Sequence, residues 1–360
     1  MVFDAYWWVA GPPSLRHVLR ETVTQWRRQF PDDEITLVVR AESLNVARAE
    51  LPPDVRLVGT RWWPQALSAV IACRRAKRTT GADVVITQNF ATSGPRLKVV
   101  YIHDVLFKSN PEWFTLPERL YFSFMPLLSR CADLVLTSTH SESQRIVAHS
   151  PVDHVVPVGI GMSDELADAP AVDPPFGLAR GNFLLTVGRL NVRKNLVRTI
   201  EAAVDSGTVR ADRPLVIVGE EDGKAVGRSP RIDQAVADGS VRFLGFVENS
   251  ELKWLYQNAT LFLFMSLGEG FGMPPVEALH FGCRMIVSDL AVFREILPAT
   301  VRRVAPDDTA ALAAAIREEI GGSVGAGSDT GGPDVRAHDY TWERTVGTIR
   351  AAVVDHLNRV

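Results

Sequence analysis

Short apolar runs alternate with amphipathic or polar, helix-like stretches through nearly all of the 360 residues. That rhythm predicts an α/β chain built on parallel sheets with helices on both faces. In the first half the apolar runs at 3–9, 35–39, 84–87, 99–102, 134–137 and 155–158 read as strands, being rich in Val, Ile and Leu. Between the first two, Leu15, Val18, Leu19, Thr22 and Trp26 recur at helical spacing and predict a helix over 15–30. Thr139 followed by Glu142 has the spacing of a capping box, which predicts that a helix opens just after the 134–137 strand.

The rhythm lapses at GMSDELADAPAVDPP, residues 161–175, where acids and prolines replace the apolar pattern; this is a linker signal. It then restarts, with strands expected at 183–187, 215–218, 241–244, 261–264, 285–287 and 301–304. A glycine-rich stretch over 321–334 reads as a tether, and 341–357 as a final helix. Two similar halves imply two Rossmann-like domains, 1–165 and 166–341. Ligands of open parallel sheets bind outside the carboxyl ends of the strands, so the two halves are expected to face each other across a cleft.

Composition narrows the classes. With 46% hydrophobic and 22% charged residues the chain is an ordinary globular protein, long enough for two cores. A net charge of −3 gives no reason to expect nucleic acid as a partner. Three scattered cysteines, Cys73, Cys131 and Cys283, suit a reducing compartment better than a disulfide framework or a metal cluster. The segment MVFDAYWWVAG lacks the build of a signal peptide, and no window is apolar enough to span a bilayer, so a cytoplasmic location is expected.

The stretch SLGEGFGMPPVEALHF, residues 266–281, concentrates the candidate chemistry. Gly270, Gly272, Pro274 and Pro275 forbid a continuous helix between Glu269 and Glu277. Glu269 is therefore expected on a strand-to-helix loop, and Glu277 near the third position of a helix beginning at Pro275. A buried strand, a glycine-rich loop and a helix N-terminus together point backbone N–H groups at a ligand. In FLLTVGRLNVRKNL a second strand leads through Gly188-Arg189 to Arg193 and Lys194, ahead of a helix near Asn195. Cations there suit a diphosphate, which Arg can grip at two oxygens and Lys can meet as a point charge.

The ordered set VGRLNVRKNL, LVIVGEEDG, VRFLGFVENSELKWLYQNATLFLFMSLGEGFGMPPVEAL, RMIVSDLAVFREIL and YTWERT resembles the family-4 retaining glycosyltransferases of GT-B architecture. The resemblance covers the second half of the chain and touches the first at isolated points. It implies a donor that is a nucleoside-diphosphate sugar, GDP- or UDP-linked, and an acceptor that is a glycan or is lipid-linked. It also implies transfer of a hexose, mannose being plausible, with no cofactor and no metal. By the same resemblance Glu277 would accept from the ribose hydroxyls and Glu269 would hold the transferred sugar. Phe271, Gly272 and Met273 would offer N–H groups to it. Arg189 and Lys194 would neutralise the departing diphosphate, and the base would lie along Gly245, Phe246 and Val247. In the first half Gly11 stands where the family has a phosphate-binding glycine loop, although Pro12 and Pro13 remove two donors and Ser14 is free to cap the next helix. His103 matches a histidine that approaches the donor sugar, and the final helix, about 342–360, matches one that returns to the first domain. The family's retaining chemistry implies that the leaving phosphate takes the acceptor's proton, which makes Glu269 a positioner.

Two other readings compete. A catalytically weak partner subunit or scaffold of a glycan-building complex is suggested by the altered Gly-Pro-Pro loop. A GT-B sugar-nucleotide epimerase shares the layout but lacks the two cations and paired glutamates. A dinucleotide oxidoreductase is disfavoured, since neither first strand is followed by Gly-x-Gly-x-x-Gly and Gly219 and Gly223 are not so spaced. Trp62 and Trp63, with Arg61 before them and Arg74, Arg75, Lys77 and Arg78 after, raise the prospect of peripheral membrane contact. The plainer expectation is a partly buried pair followed by a solvated basic helix. His140, His149, His154 and His280 have no metal-ligand spacing.

Overall fold

The computed structural model describes residues 1–94, 96–189, 191–220, 229–322 and 340–359. The chain divides into two compact units. The first comprises Met1–Pro111, Leu116–Gly161 and the chain from Thr341 onward; the second comprises Glu112–Thr115 and Met162–Tyr340.

In the first unit the strands are β1 (Val2–Asp4), β2 (Thr36–Arg40), β3 (Arg56–Thr60), β4 (Val84–Gln88), β5 (Leu97–Tyr101), β6 (Leu134–Thr137) and β7 (Val156–Pro157). They form one sheet in the order β3-β2-β1-β4-β5-β6-β7, and every pairing is parallel. The strands β4 and β6 are buried along their whole length, as a parallel sheet covered on both faces requires. β1 stops at Asp4, well short of the expected residue 9, because Ala5 to Ser14 turn into a helix. That helix, Pro13–Gln29, begins on proline with no side-chain cap, so Ser14 lies inside its first turn and does not cap it. β3 was not foreseen. Its sequence RLVGT alternates weakly and most of it is not buried, which is the signature of an edge strand.

The helix His140–His149 is capped as expected, Glu142 N donating to Thr139 Oγ1 at 3.0 Å. The Glu142 carboxylate, however, accepts from Val105 N at 2.9 Å, so it ties the segment after β5 to this helix. The last helix, Trp342–Arg359, lies in the first unit and packs on Pro13–Gln29. There Arg350 Nε donates to Asp33 Oδ2 at 3.0 Å and the guanidinium covers the Phe30 ring.

The second unit's strands are β8 (Leu184–Val187), β9 (Leu215–Val218), β10 (Val241–Gly245), β11 (Leu261–Phe264), β12 (Met285–Ser288) and β13 (Arg302–Val304). Their order is β10-β9-β8-β11-β12-β13, again wholly parallel. A short helix, Asp164–Asp168, capped by Ser163, interrupts the linker. The helix Thr309–Gly321 covers the sheet together with Leu196–Asp205. Gly223 and the glycine-rich residues 323–334 lie outside the described residues.

In both sheets the strand order reverses at the first strand of the unit, between β1 and β4 and between β8 and β11. Loops leaving such a switch point part to opposite faces and open a crevice at the carboxyl ends of the strands. Gly11, Arg189, Lys194, Glu269, Phe271 and Gly272 lie on such loops.

Candidate functional site

In the second unit the loop after β8 and the loop after β11 meet side chain to side chain. Val192–Lys194 form a single tight turn whose start is held by Asn191 Oδ1, which accepts from Lys194 N at 3.2 Å. Asn195 then takes a left-handed conformation, φ 55°, and opens the helix Leu196–Asp205. This geometry carries Lys194 back across Gly188, where a β-carbon would stand 3.2 Å from Lys194 Cε. Lys194 Nζ lies 2.7 Å from Glu269 Oε1. Arg193 Nη1 donates to Glu269 Oε2 at 2.6 Å and to Gly268 O at 3.1 Å. The two loops are also joined through backbone, Leu267 N donating to Arg193 O at 2.8 Å.

Glu269 is 6% exposed. Burial alone would raise its carboxyl, but the charges of Arg193 and Lys194 outweigh that and hold it at about 2. Lys194 moves the other way. Burial brings its ammonium down to about 8, against the pull of Glu269 and with the push of Arg193 and Arg189. Arg189 therefore stands near enough to bear on Lys194, while Arg193 and Lys194 both meet the Glu269 carboxylate.

The helix after this loop runs Met273–His280, two residues earlier than expected, so Pro274 and Pro275 fill its first turn and Glu277 falls in the second. Gly272 caps it at φ +97°, with the Phe293 ring 2.5 Å from where a β-carbon would lie. Phe271 is buried against the Tyr340 ring. Among the described residues no protein acceptor is bonded by the N–H groups of Phe271, Gly272 or Met273. They are open donors at a helix N-terminus. Glu277 Oε2 accepts from Tyr256 Oη at 2.8 Å, and burial pushes the Glu277 carboxyl up to about 6 against that hydrogen bond and the Lys194 charge. At the end of β10, Phe246 is 68% exposed while Val247 is buried.

In the first unit Gly11 has φ +135° and sits on Trp7, whose ring carbon Cε3 is 2.1 Å from a β-carbon placed there. His103, after β5, is held by its backbone N–H to Asn89 Oδ1 at 3.3 Å and by Nε2 facing Gln88 Oε1 at 3.1 Å. Burial lowers the imidazole to about 3, so the ring stays neutral. With the proton on Nε2, Nδ1 is left as an acceptor. Beneath it, Gln65 Nε2 donates to Asp4 Oδ2 at 2.9 Å and to Gln88 O at 3.2 Å, and Trp7 Nε1 donates to Gln65 Oε1 at 2.9 Å.

The second unit thus brings together Arg189, Lys194, Glu269, Phe271 and Gly272 on loops of one switch point, with Met273 and Glu277 on the helix that follows and Phe246 and Val247 at the end of β10. In the first unit Gly11 lies after β1 and His103 after β5. Sequence reasoning passed over one member and one contact. Arg193 was read as a cation for the diphosphate, but its ion pair with Glu269, 76 residues away, was not expected. Tyr256 lies 21 residues before its partner Glu277, and no local spacing connects them. Trp62 and Trp63 are 49% and 77% exposed, which corrects the expectation of a partly buried pair, because the turn ahead of Gln65 projects both rings outward. Lys77, expected to be solvated, is instead buried and donates to Leu97 O at 3.0 Å. Among the described residues no group of three or more His, Cys, Asp or Glu side chains is placed to hold a metal ion. Nor is any helix there long and apolar enough to cross a membrane.

The two-sheet architecture is that of GT-B glycosyltransferases. Sucrose-phosphate synthase from Thermosynechococcus elongatus superposes with a TM-score of 0.67 over 99% of this chain and 96% of that one, at 18% identity. HepE of Anabaena, solved with UDP and glucose, gives 0.62 over 100% and 99%, at 16% identity. Residues 175–320 match the model of the family described as glycosyl transferases group 1. Among curated relatives, O-antigen chain mannosyltransferase B of Escherichia coli is 25% identical over 70% of this chain and 69% of its own length. The O-antigen chain mannosyltransferase RfbU of Salmonella typhimurium is 29% identical over 62% of this chain and 60% of its own.

Proposed function

We propose that this chain transfers a hexose, mannose in the first instance, from a nucleoside-diphosphate sugar to a glycan or lipid-linked acceptor with retention at the anomeric carbon. The carrying observation is the clamp in which Arg193 and Lys194 grip Glu269 beside the open N–H groups of Phe271, Gly272 and Met273. A glutamate held ionised at about 2 accepts hydrogen bonds and gives none, which suits the hydroxyls of a sugar. Lys194 and Arg189 then face the diphosphate and take up the charge that develops as it leaves. This assigns to protein cations the work that a metal would otherwise do. Phe246 offers an exposed ring beside the place proposed for the base, and Glu277 takes the ribose. His103, neutral, accepts a hydrogen bond from a sugar hydroxyl through Nδ1. The mannosyltransferase names of several relatives support the choice of sugar.

The exposed pair Trp62 and Trp63, preceded by Arg61, supports contact with an anionic lipid surface, consistent with a lipid-linked acceptor. One observation favours the scaffold reading. The Gly11 turn is packed on Trp7, and Pro12 and Pro13 add no N–H groups to it. The deciding experiment offers GDP- and UDP-hexoses with a mixed glycan and lipid-linked acceptor pool, follows nucleoside-diphosphate release, and assigns the product anomer by NMR. Release from GDP-mannose with retention is expected. Binding without release from any hexosyl nucleotide would leave the scaffold in its place.

A further inference from the structure

Tyr256 lies at the centre of the second unit with no exposed surface at all, in the helix Asn249–Asn258. Its ring meets Phe262 of β11 edge-on at 5.6 Å and stacks against Phe281, beyond the next helix, at 5.9 Å. These two contacts hold the buried ring where its hydroxyl reaches Glu277 Oε2 at 2.8 Å. Among the described residues no other hydrogen bond reaches the Glu277 carboxylate. One oxygen is therefore anchored, and Oε1 remains to accept from a ligand.

We propose that Tyr256 is a positioning residue that orients Glu277 for the vicinal diol of a donor ribose and holds that carboxylate in its accepting form. The proposal rests on the nucleotide-sugar reading of the second unit. A phenol buried among aromatic rings can make this hydrogen bond at little cost in mobility, because packing already holds the ring. Three other titratable groups lie around the pair: Lys194 bears on Glu277 from the loop after β8, His280 stands one turn further on the same helix as Glu277, and Cys283 bears on Tyr256 from the turn that follows. Burial keeps the Cys283 thiol neutral, pushed up to about 12. The Tyr256 bond and the Lys194 charge are the two influences that draw Glu277 down. Removing the phenol hydroxyl moves Glu277 further up, so its ionised form is reached only at higher pH.

The test is Tyr256→Phe in the full chain, which keeps the ring and its packing. GDP, UDP and their 2′,3′-dideoxy analogues are titrated by calorimetry from pH 5 to 8 into wild type, Tyr256→Phe and Glu277→Gln. Loss of one hydrogen bond to a charged acceptor predicts about tenfold weaker binding of the ribonucleotide to Tyr256→Phe near pH 6.5. The dideoxy analogue should bind both proteins alike, and the acid limb of ribonucleotide affinity should move to higher pH. Equal weakening for ribo and dideoxy forms, or an acid limb that does not move, would overturn the role of Tyr256. Glu277→Gln should abolish the preference for the ribo form. If it keeps that preference, the assignment of Glu277 to the ribose fails, and the proposal for Tyr256 fails with it.

Discussion

Lys194 Nζ lies 2.7 Å from Glu269 Oε1 and 4.5 Å from the centre of the Phe264 ring, so its charge is held between a carboxylate and an aromatic face. Desolvation brings it to about 8, and the same burial lifts Glu277 to about 6. A raised carboxyl is ionised only above about 6, and a lowered ammonium is charged only below about 8. For an enzyme that needs Glu277 ionised and Lys194 protonated, kcat/KM for the donor therefore rises through about pH 6 and falls through about pH 8. Lys194→Arg, which cannot deprotonate in this range, should retain the acid limb and lose the alkaline one; an unchanged alkaline limb would contradict the assignment. Lys194→Ala should lower turnover by about a hundredfold, as removal of a transition-state charge donor does. Glu269, Glu277 and Lys194 were legible because glycines and prolines marked the turns around them. Tyr256 and the ion pair of Arg193 with Glu269 were not, since these contacts join residues distant in sequence.

At the level of elements, the apolar runs that became β4, β6, β9 and β11 were legible because strands covered on both faces carry uninterrupted Val, Ile, Leu and Phe. β3 escaped notice because an edge strand has little apolar surface to bury, and the end of β1 was hidden because the residues that turn after it, Tyr6 to Ala10, are themselves apolar. The order of strands, which sets the switch points and so the site, was not legible in either half. The close crossing after β8 and β9 gives an element-level prediction. Gly219 has φ +140°, and a β-carbon there would come 2.0 Å from Gly188 O. Gly219→Ala should destabilise the second unit by about 1–3 kcal/mol. In a thermal melt that corresponds to roughly 2–4 °C for each kcal/mol. A variant that melts with wild type would show that the crossing can relax, and the account of the Gly188 turn would need revision.

Over the whole molecule the net charge is −3, so attraction to an anionic bilayer has to be local. Trp62 and Trp63, exposed next to Arg61 in the sequence, are the candidate local site, and Leu116 and Leu120, 74% and 66% exposed, are further apolar surface in the same unit. Wild type should sediment with phosphatidylglycerol vesicles, and the double variant Trp62→Ser, Trp63→Ser should sediment markedly less. A wild-type fraction equal to the lipid-free control would dispose of the lipid contact. The α/β class and the two-sheet plan were legible from the alternation of apolar and polar stretches and from its lapse at the linker. The clamp was legible only as separate motifs, because its assembly depends on strand order. The most direct measurement on the central claim is calorimetric titration of GDP, UDP, the matching nucleosides and pyrophosphate into wild type and Lys194→Ala. The account predicts that one of the diphosphates binds wild type more tightly than its nucleoside, and that Lys194→Ala removes most of that difference. Absence of binding by any nucleoside diphosphate, or equal binding to both proteins, would contradict it.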